Sequence, residues 1–244
     1  MKIRLIIAVL VLLTGLAVWL YRQFIRPPPL AKKPRTIEQV LDALGPAVER
    51  RLRPAFEQAG LSGMPSNLTL VAFKAERRLE LYASGGAAEK ARFVLAYPIL
   101  AASGVSGPKL REGDKQVPEG FYRIELLNPN SRYHLSLRVN YPNADDLERA
   151  RQDGRALSTL GGDIMIHGGS ASIGCLALGD PAVEELFVLA ARAGLDNVRL
   201  IIAPHDSRRG NSAAPPENAP IWTSELHDRL RQEIAKFPLF VPSG

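Results

Sequence analysis

Two residues that can do chemistry sit close together in this chain. Cys175, the only cysteine, follows His167 by eight residues, and Gly168-Gly169-Ser170-Ala171-Ser172-Ile173-Gly174 lies between them. A thiolate attacks a carbonyl carbon, and a nearby imidazole can take the thiol proton. Glycines let backbone approach closely and leave N–H groups that could hold an oxyanion. A lone cysteine cannot form a disulfide within the chain. It can also be a small buried hydrophobe. The flanking His-Gly-Gly and Ser-x-Gly-Cys favour the nucleophile, and an activated thiol of this kind is expected to react with an electrophile at mildly acidic pH.

The elements that must position this pair follow from periodicity. Ile164-Met165-Ile166 reads as a buried strand leading into His167. Residues 68–73, 79–83, 92–97, 120–124, 134–139 and 198–203 read as further strands. Residues 103–120 are rich in Gly, Pro and charge. They form a long loop of a length more often functional than idle. Thr36 is placed to cap a helix that runs to about Gln58, with a break expected at Gly45-Pro46. Asn143 can cap a short helix, and Pro181 sits in the first turn of another that ends at Gly194. A polar loop, 207–220, precedes an amphipathic helix over 226–237. Many strands and few helices predict a mainly β, β-rich α+β domain, a sandwich or partly closed barrel. Glycine-rich phosphate loops are absent.

The N-terminus is different in kind. Lys2 and Arg4 precede an apolar run from Leu5 to Tyr21, and Arg22, Arg26 and Pro27-Pro28-Pro29 follow it. This predicts an uncleaved signal-anchor over residues 1–26 in preference to a removed signal peptide, which would leave a soluble periplasmic protein, with a Pro/basic linker over 27–35. Residues 36–66 are then an N-terminal helical segment, 67–206 the main domain and 207–244 a C-terminal loop and helix. The formal net charge of +6 is local. Seven basic and no acidic residues lie in 1–35, which leaves 24 basic against 25 acidic residues in the rest. That balance gives no support for a nucleic-acid-binding face. No His pair with a third ligand shows metal spacing, so no cofactor is expected. His134 is read as structural or surface, and His205 and His227 as loop and helix-surface residues. Asp163 either orients His167 or ends a turn.

Three blocks in order carry a resemblance. They are Ser106-Gly107-Pro108-Lys109-Leu110-Arg111-Glu112-Gly113-Asp114 with Val117-Pro118-Glu119-Gly120-Phe121-Tyr122, then Asn128-Pro129-Asn130-Ser131 through Tyr141-Pro142-Asn143, then Gly162-Asp163-Ile164-Met165-Ile166-His167-Gly168 with Ser172-Ile173-Gly174-Cys175. With these the chain resembles the YkuD-type L,D-transpeptidases, and more closely their YafK-like branch. The resemblance implies a β-sandwich with a mixed sheet and a few flanking helices. It implies chemistry on peptidoglycan stem peptides at diaminopimelate, with a wall-linked lipoprotein as a further partner; the N-terminal run then predicts a periplasmic domain tethered to the inner membrane. Cys175 would be the nucleophile and His167 the base. N–H groups near Gly174 and Cys175 would hold the oxyanion, and Ser172 would support the loop or orient the imidazole. Gly168, Gly169, Tyr141, Lys109 and Arg111 would bind substrate. The alternative is a non-catalytic peptidoglycan-binding or scaffold protein of the same fold. This chain departs from the family pattern at Ile173, where a second histidine is usual, and at Ala177, where an arginine is usual. Both transfer to an amine and hydrolysis remain open.

Overall fold

The computed structural model describes residues 14–15, 33–86, 89–210 and 214–239. The chain divides into two units, 1–34 and 35–244. The apolar run 5–21 lies outside the described residues apart from Thr14 and Gly15. Among the described residues no helix is long and apolar enough to cross a membrane.

Unit 35–244 is built on one mixed, curled sheet of eight strands. They are β1 (Asn67–Phe73), β2 (Arg78–Ser84), β3 (Arg92–Pro98), β4 (Gly120–Asn128), β5 (Ser136–Val139), β6 (Met165–His167), β7 (Leu176–Ala177) and β8 (Val198–Ala203). Their order is β3-β2-β1-β8-β4-β5-β6-β7. The pairs β1–β8 and β6–β7 are parallel and the rest antiparallel. Strand β4 turns the sheet. Its first residues pair with β8 and its last with β5, and the register shifts between Ile124 and Leu126. Such an irregularity bends a strand and increases its twist. Just past β3, Ala101 bridges to Ala177 of β7, so the two ends of the sheet meet. The mainly β fold expected from the strand count is the one observed.

Helix α1 (Ile37–Gln58) and helix α3 (Asp180–Ala193) cover one face, and helix α4 (Thr223–Ile234) covers the other. A short helix, α2 (Ala144–Gln152), follows β5 and carries the capping box Asn143–Asp146. Strand β1 is covered on both sides and almost wholly buried. Its sequence is accordingly an apolar run rather than an alternation. Helix α1 does not break at Gly45-Pro46; it continues through Pro46 and Pro54. A proline inside a helix costs about 3 kcal/mol through its lost hydrogen bond and ring clash. Packing against α3 offsets that cost. Val40, Val48, Leu52 and Phe56 are buried on this side. Arg51 pairs with Glu184 and Glu185, and Arg192 pairs with Glu49. A Cβ at Gly45 would lie 2.8 Å from Arg192 Nη2, so a side chain there would push the tip of Arg192 aside.

The long loop before β4 is fastened from inside. Lys74 Nζ donates to Gly107 O, Val117 O and Glu119 Oε1 at 2.9–3.0 Å. Glu119 Oε2 accepts from His227 Nε2 at 2.8 Å. His227 is therefore not a helix-surface residue. It is buried, and it ties α4 to the loop.

Candidate active site

Strand β6 places His167 at its C-terminal end, with Ser136 of β5 opposite in register. The chain then makes a turn and re-enters the sheet as β7, parallel to β6, with His167 opposite Ala177. This return brings Cys175 beside the start of β6, where its Sγ accepts from Met165 N–H at 3.4 Å. The thiol in turn donates to Asp163 O at 3.6 Å. Cys175 and His167 line one cleft of about 360 Å³, shared with Ser131, Tyr133, Ser136, Asp163, Met165, Ala171, Ser172 and Ile173.

His167 is 3% exposed. Its Nδ1 lies 2.6 Å from Gly168 O. A carbonyl oxygen can only accept, so Nδ1 carries the hydrogen and Nε2 of the neutral ring is left as the base. The face of the imidazole is covered by Tyr133, with ring centroids 4.5 Å apart and planes inclined by 30°. Among the described residues no hydrogen bond joins Cys175 Sγ to the imidazole. Such bonds are often loose before substrate arrives.

Burial pushes the Cys175 thiol above its usual value, and the negative field of Asp163 adds to this; Met165 N–H and Lys109 oppose it. The resting group is a thiol, and proton transfer to His167 must accompany attack. The expectation of reactivity at mildly acidic pH is therefore revised. Alkylation of Cys175 by iodoacetamide should be slower at neutral pH than that of a small free thiol. It should climb with a midpoint above the ordinary cysteine value of about 8.5. A rate that is already level below pH 7 would show a preformed thiolate and contradict this account.

The turn is organised by hydroxyl groups. Ser172 Oγ accepts from Cys175 N–H at 2.9 Å and donates to Cys175 O at 2.7 Å. Gly174, at φ +91°, directs its N–H to Ser103 Oγ at 2.6 Å, and Ser103 donates to Lys115 O. Both expected oxyanion donors, Gly174 N–H and Cys175 N–H, are thus held by neutral hydroxyls. A charged oxyanion accepts a stronger hydrogen bond and can displace them. Ser103 had no motif to mark it; only its place at the start of the long loop pointed there.

The other expected site residues have other partners. A Cβ at Gly168 would lie 2.5 Å from both Tyr133 O and Asp180 Oδ1. Gly169 N–H donates to Asp180 Oδ1 at 2.9 Å. Gly168 lets the 128–134 loop and α3 close on the site, and Gly169 takes the positive φ of +70° beside it. Tyr141 is buried, with its hydroxyl 3.3 Å from Lys109 O. Lys109 is buried and committed to Asp114 at 2.7 Å and to Arg111 O at 2.8 Å. Arg111 is exposed and is not among the residues lining the cleft. None of the three reaches the cleft. Asp163 stands at φ +55° just before β6, and its exposed side chain pairs with Arg138 at 3.4 Å rather than with His167, so it does not orient the imidazole. Ile173 is 77% exposed and forms an apolar lip. Ala177 is buried between β6 and Ala101. His134 bonds Glu184 at 2.9 Å. Among the described residues no three His, Cys, Asp or Glu side chains converge to hold a metal ion.

A curled mixed sheet that presents a cysteine and an oriented histidine in one cleft defines the class. The YkuD L,D-transpeptidase catalytic domain matches residues 68–199, and the chain belongs to that family. It is 35% identical over 174 residues to the provisionally named L,D-transpeptidase YafK of Escherichia coli (strain K12), covering 63% of this chain and 67% of that protein. Among solved structures it is similar to a mutant of the helical cell shape determining protein Pgp2 from Campylobacter jejuni. That likeness has TM-score 0.45 and 21% identity, over 69% of this chain and 54% of that one, so the match spans about half of the Pgp2 chain. Mycobacterium tuberculosis L,D-transpeptidase 1 is similar at TM-score 0.32 and 14% identity, over 56% of this chain and 61% of that one.

Proposed function

We propose that this protein cleaves or exchanges peptide bonds at diaminopimelate in peptidoglycan stem peptides through a thioester on Cys175. The observation that carries this is a thiol and an Nδ1-protonated imidazole facing one cleft, in a chain of the L,D-transpeptidase family. His167 Nε2 takes the thiol proton as sulfur bonds to the carbonyl carbon. The oxyanion gathers on N–H groups of the 172–175 turn. Collapse breaks the C–N bond, and His167 returns the proton to the leaving amine. Water or a second amine, deprotonated by the same nitrogen, then releases the acyl group and restores the thiol.

Between the two acceptors the reading favours water. Among the described residues no lysine or arginine lines the cleft, and the buried Ala177, where the family pattern would put an arginine, supplies none. No side chain there offers a cation to fix the carboxylate of an amine acceptor. The products are then a shortened stem peptide or a released wall-linked lipoprotein. The proposed place of action is the periplasm, with the 5–21 run holding the domain to the inner membrane. A lone thiol in that oxidising compartment is a liability unless it has a use.

The test is mass spectrometry of muropeptides after incubating the purified protein with cross-linked or protein-linked peptidoglycan and an excess of a free D-amino acid. Loss of linked material without incorporation is expected. Incorporation of the D-amino acid without loss of linked material would establish transfer instead.

A further inference from the structure

Tyr133 is half exposed, so burial explains little of its placement. Yet the loop that carries it is pinned at several points. Ser131 Oγ accepts Tyr133 N–H at 3.2 Å, and Tyr133 O accepts Leu135 N–H at 3.0 Å. Arg35, the first residue of its unit, clamps the same loop. Its Nη2 donates to Pro129 O at 2.7 Å and to His134 O at 3.3 Å. Its backbone exchanges two hydrogen bonds with the Asn130 side chain, at 2.8 and 2.9 Å. His134, at φ +72°, reaches Glu184 of α3. What this bracing holds in place is an aromatic ring 4.5 Å from the base of the reaction.

We propose that Tyr133 is a positioning residue for His167, stacking on the imidazole so as to fix its plane and favour the imidazolium formed in catalysis, and that Arg35 keeps the Tyr133 loop seated. An aromatic face attracts a cation, so the stack strengthens as the ring takes the Cys175 proton. The Gly168 O contact fixes one edge of the imidazole and the tyrosine fixes its face. The other titratable groups around the imidazole are Cys175 and Asp163 in the cleft, Asp180 at the start of α3, and the His134–Glu184 pair next in the loop. They are the same in every variant below. The inference rests on the reading of Cys175 and His167 as nucleophile and base.

The test is an NMR titration of His167 in the whole protein, with turnover measured beside it, for Tyr133→Phe, Tyr133→Leu and Arg35→Ala. In Tyr133→Leu the His167 midpoint should fall by roughly half a pH unit. Turnover should fall about tenfold, as a misplaced base loses rate. Tyr133→Phe keeps the stack and should restore both to within about twofold. Arg35→Ala should shift both in the same direction by less. An unchanged titration in Tyr133→Leu, or a Phe variant as impaired as the Leu variant, overturns the proposal. If Tyr133→Leu does not fold, an unchanged titration in Arg35→Ala overturns it. Activity that survives Cys175→Ala would defeat the parent reading instead, which the titration does not depend on.

Discussion

Cys175→Ala is expected to abolish turnover of stem peptides while the protein stays folded. The thiol is the only sulfur nucleophile in the chain, and it shares its cleft with the imidazole. The substitution removes an acceptor from Met165 N–H and a donor to Asp163 O. Each such bond contributes about 1 kcal/mol. A lowering of Tm by a few degrees is therefore the most expected, roughly 2–4 °C per kcal/mol for a domain of this size. Turnover assays on the purified variant, with a melt alongside, separate the two effects. Activity that persists in a folded Cys175→Ala protein would end the cysteine-enzyme reading.

His167→Ala should lower turnover by about 10²–10⁴, the span that a positioned general base supplies. The Nδ1 contact with Gly168 O assigns the proton and leaves one nitrogen for the work. No second histidine stands by the thiol to replace it, since that position is the exposed Ile173. His134 is engaged by Glu184, and His227 is buried against Glu119. Alanine at His134 or His205 should leave the rate within a few-fold, because neither lines the cleft. An equal loss on changing either would show that the base has been misassigned. A His167 variant assayed across pH adds a second check. The base contribution should vanish and leave only the rise in rate that follows ionisation of the raised thiol.

Much of the fold was legible because its strands carry their burial in their sequence. Residues 68–73 and 198–203 are apolar runs, and the structure covers both β1 and β8 on two faces. The N-cap at Thr36 and the proline near the start of α3 marked two helix starts correctly. The continuity of α1 was not legible. A Gly-Pro pair argues locally for a break, and only packing on the partner helix, through Glu49, Arg51 and buried Val48, makes an unbroken passage favourable. The two-residue strand β7 is too short to show a period. It exists because β6 and Ala101 bracket it.

The site divides in the same way. Cys175, His167 and Ser172 stand out by residue type and short spacing, and the structure gathers them in one cleft. Lys109 and Arg111 looked like carboxylate binders because charge in a loop is visible while its partner is not. Asp114, only a few residues on, takes Lys109. His227 looked exposed because helical spacing cannot reveal a buried carboxylate 108 residues away. Ser103 and Tyr133 reach the turn and the imidazole from loops whose paths no local pattern encodes.

The proposed mechanism requires an acyl group of the stem peptide to reside on Cys175. Acid-quenched intact-mass spectrometry of the protein mixed with a tetrapeptide stem containing diaminopimelate tests it most directly. A species heavier by the peptide acyl group is expected, with the modification on the Cys175 peptide, released by hydroxylamine and absent from Cys175→Ala. Turnover of the same peptide with Cys175 unmodified at every quench time, and an adduct on another residue, would contradict it.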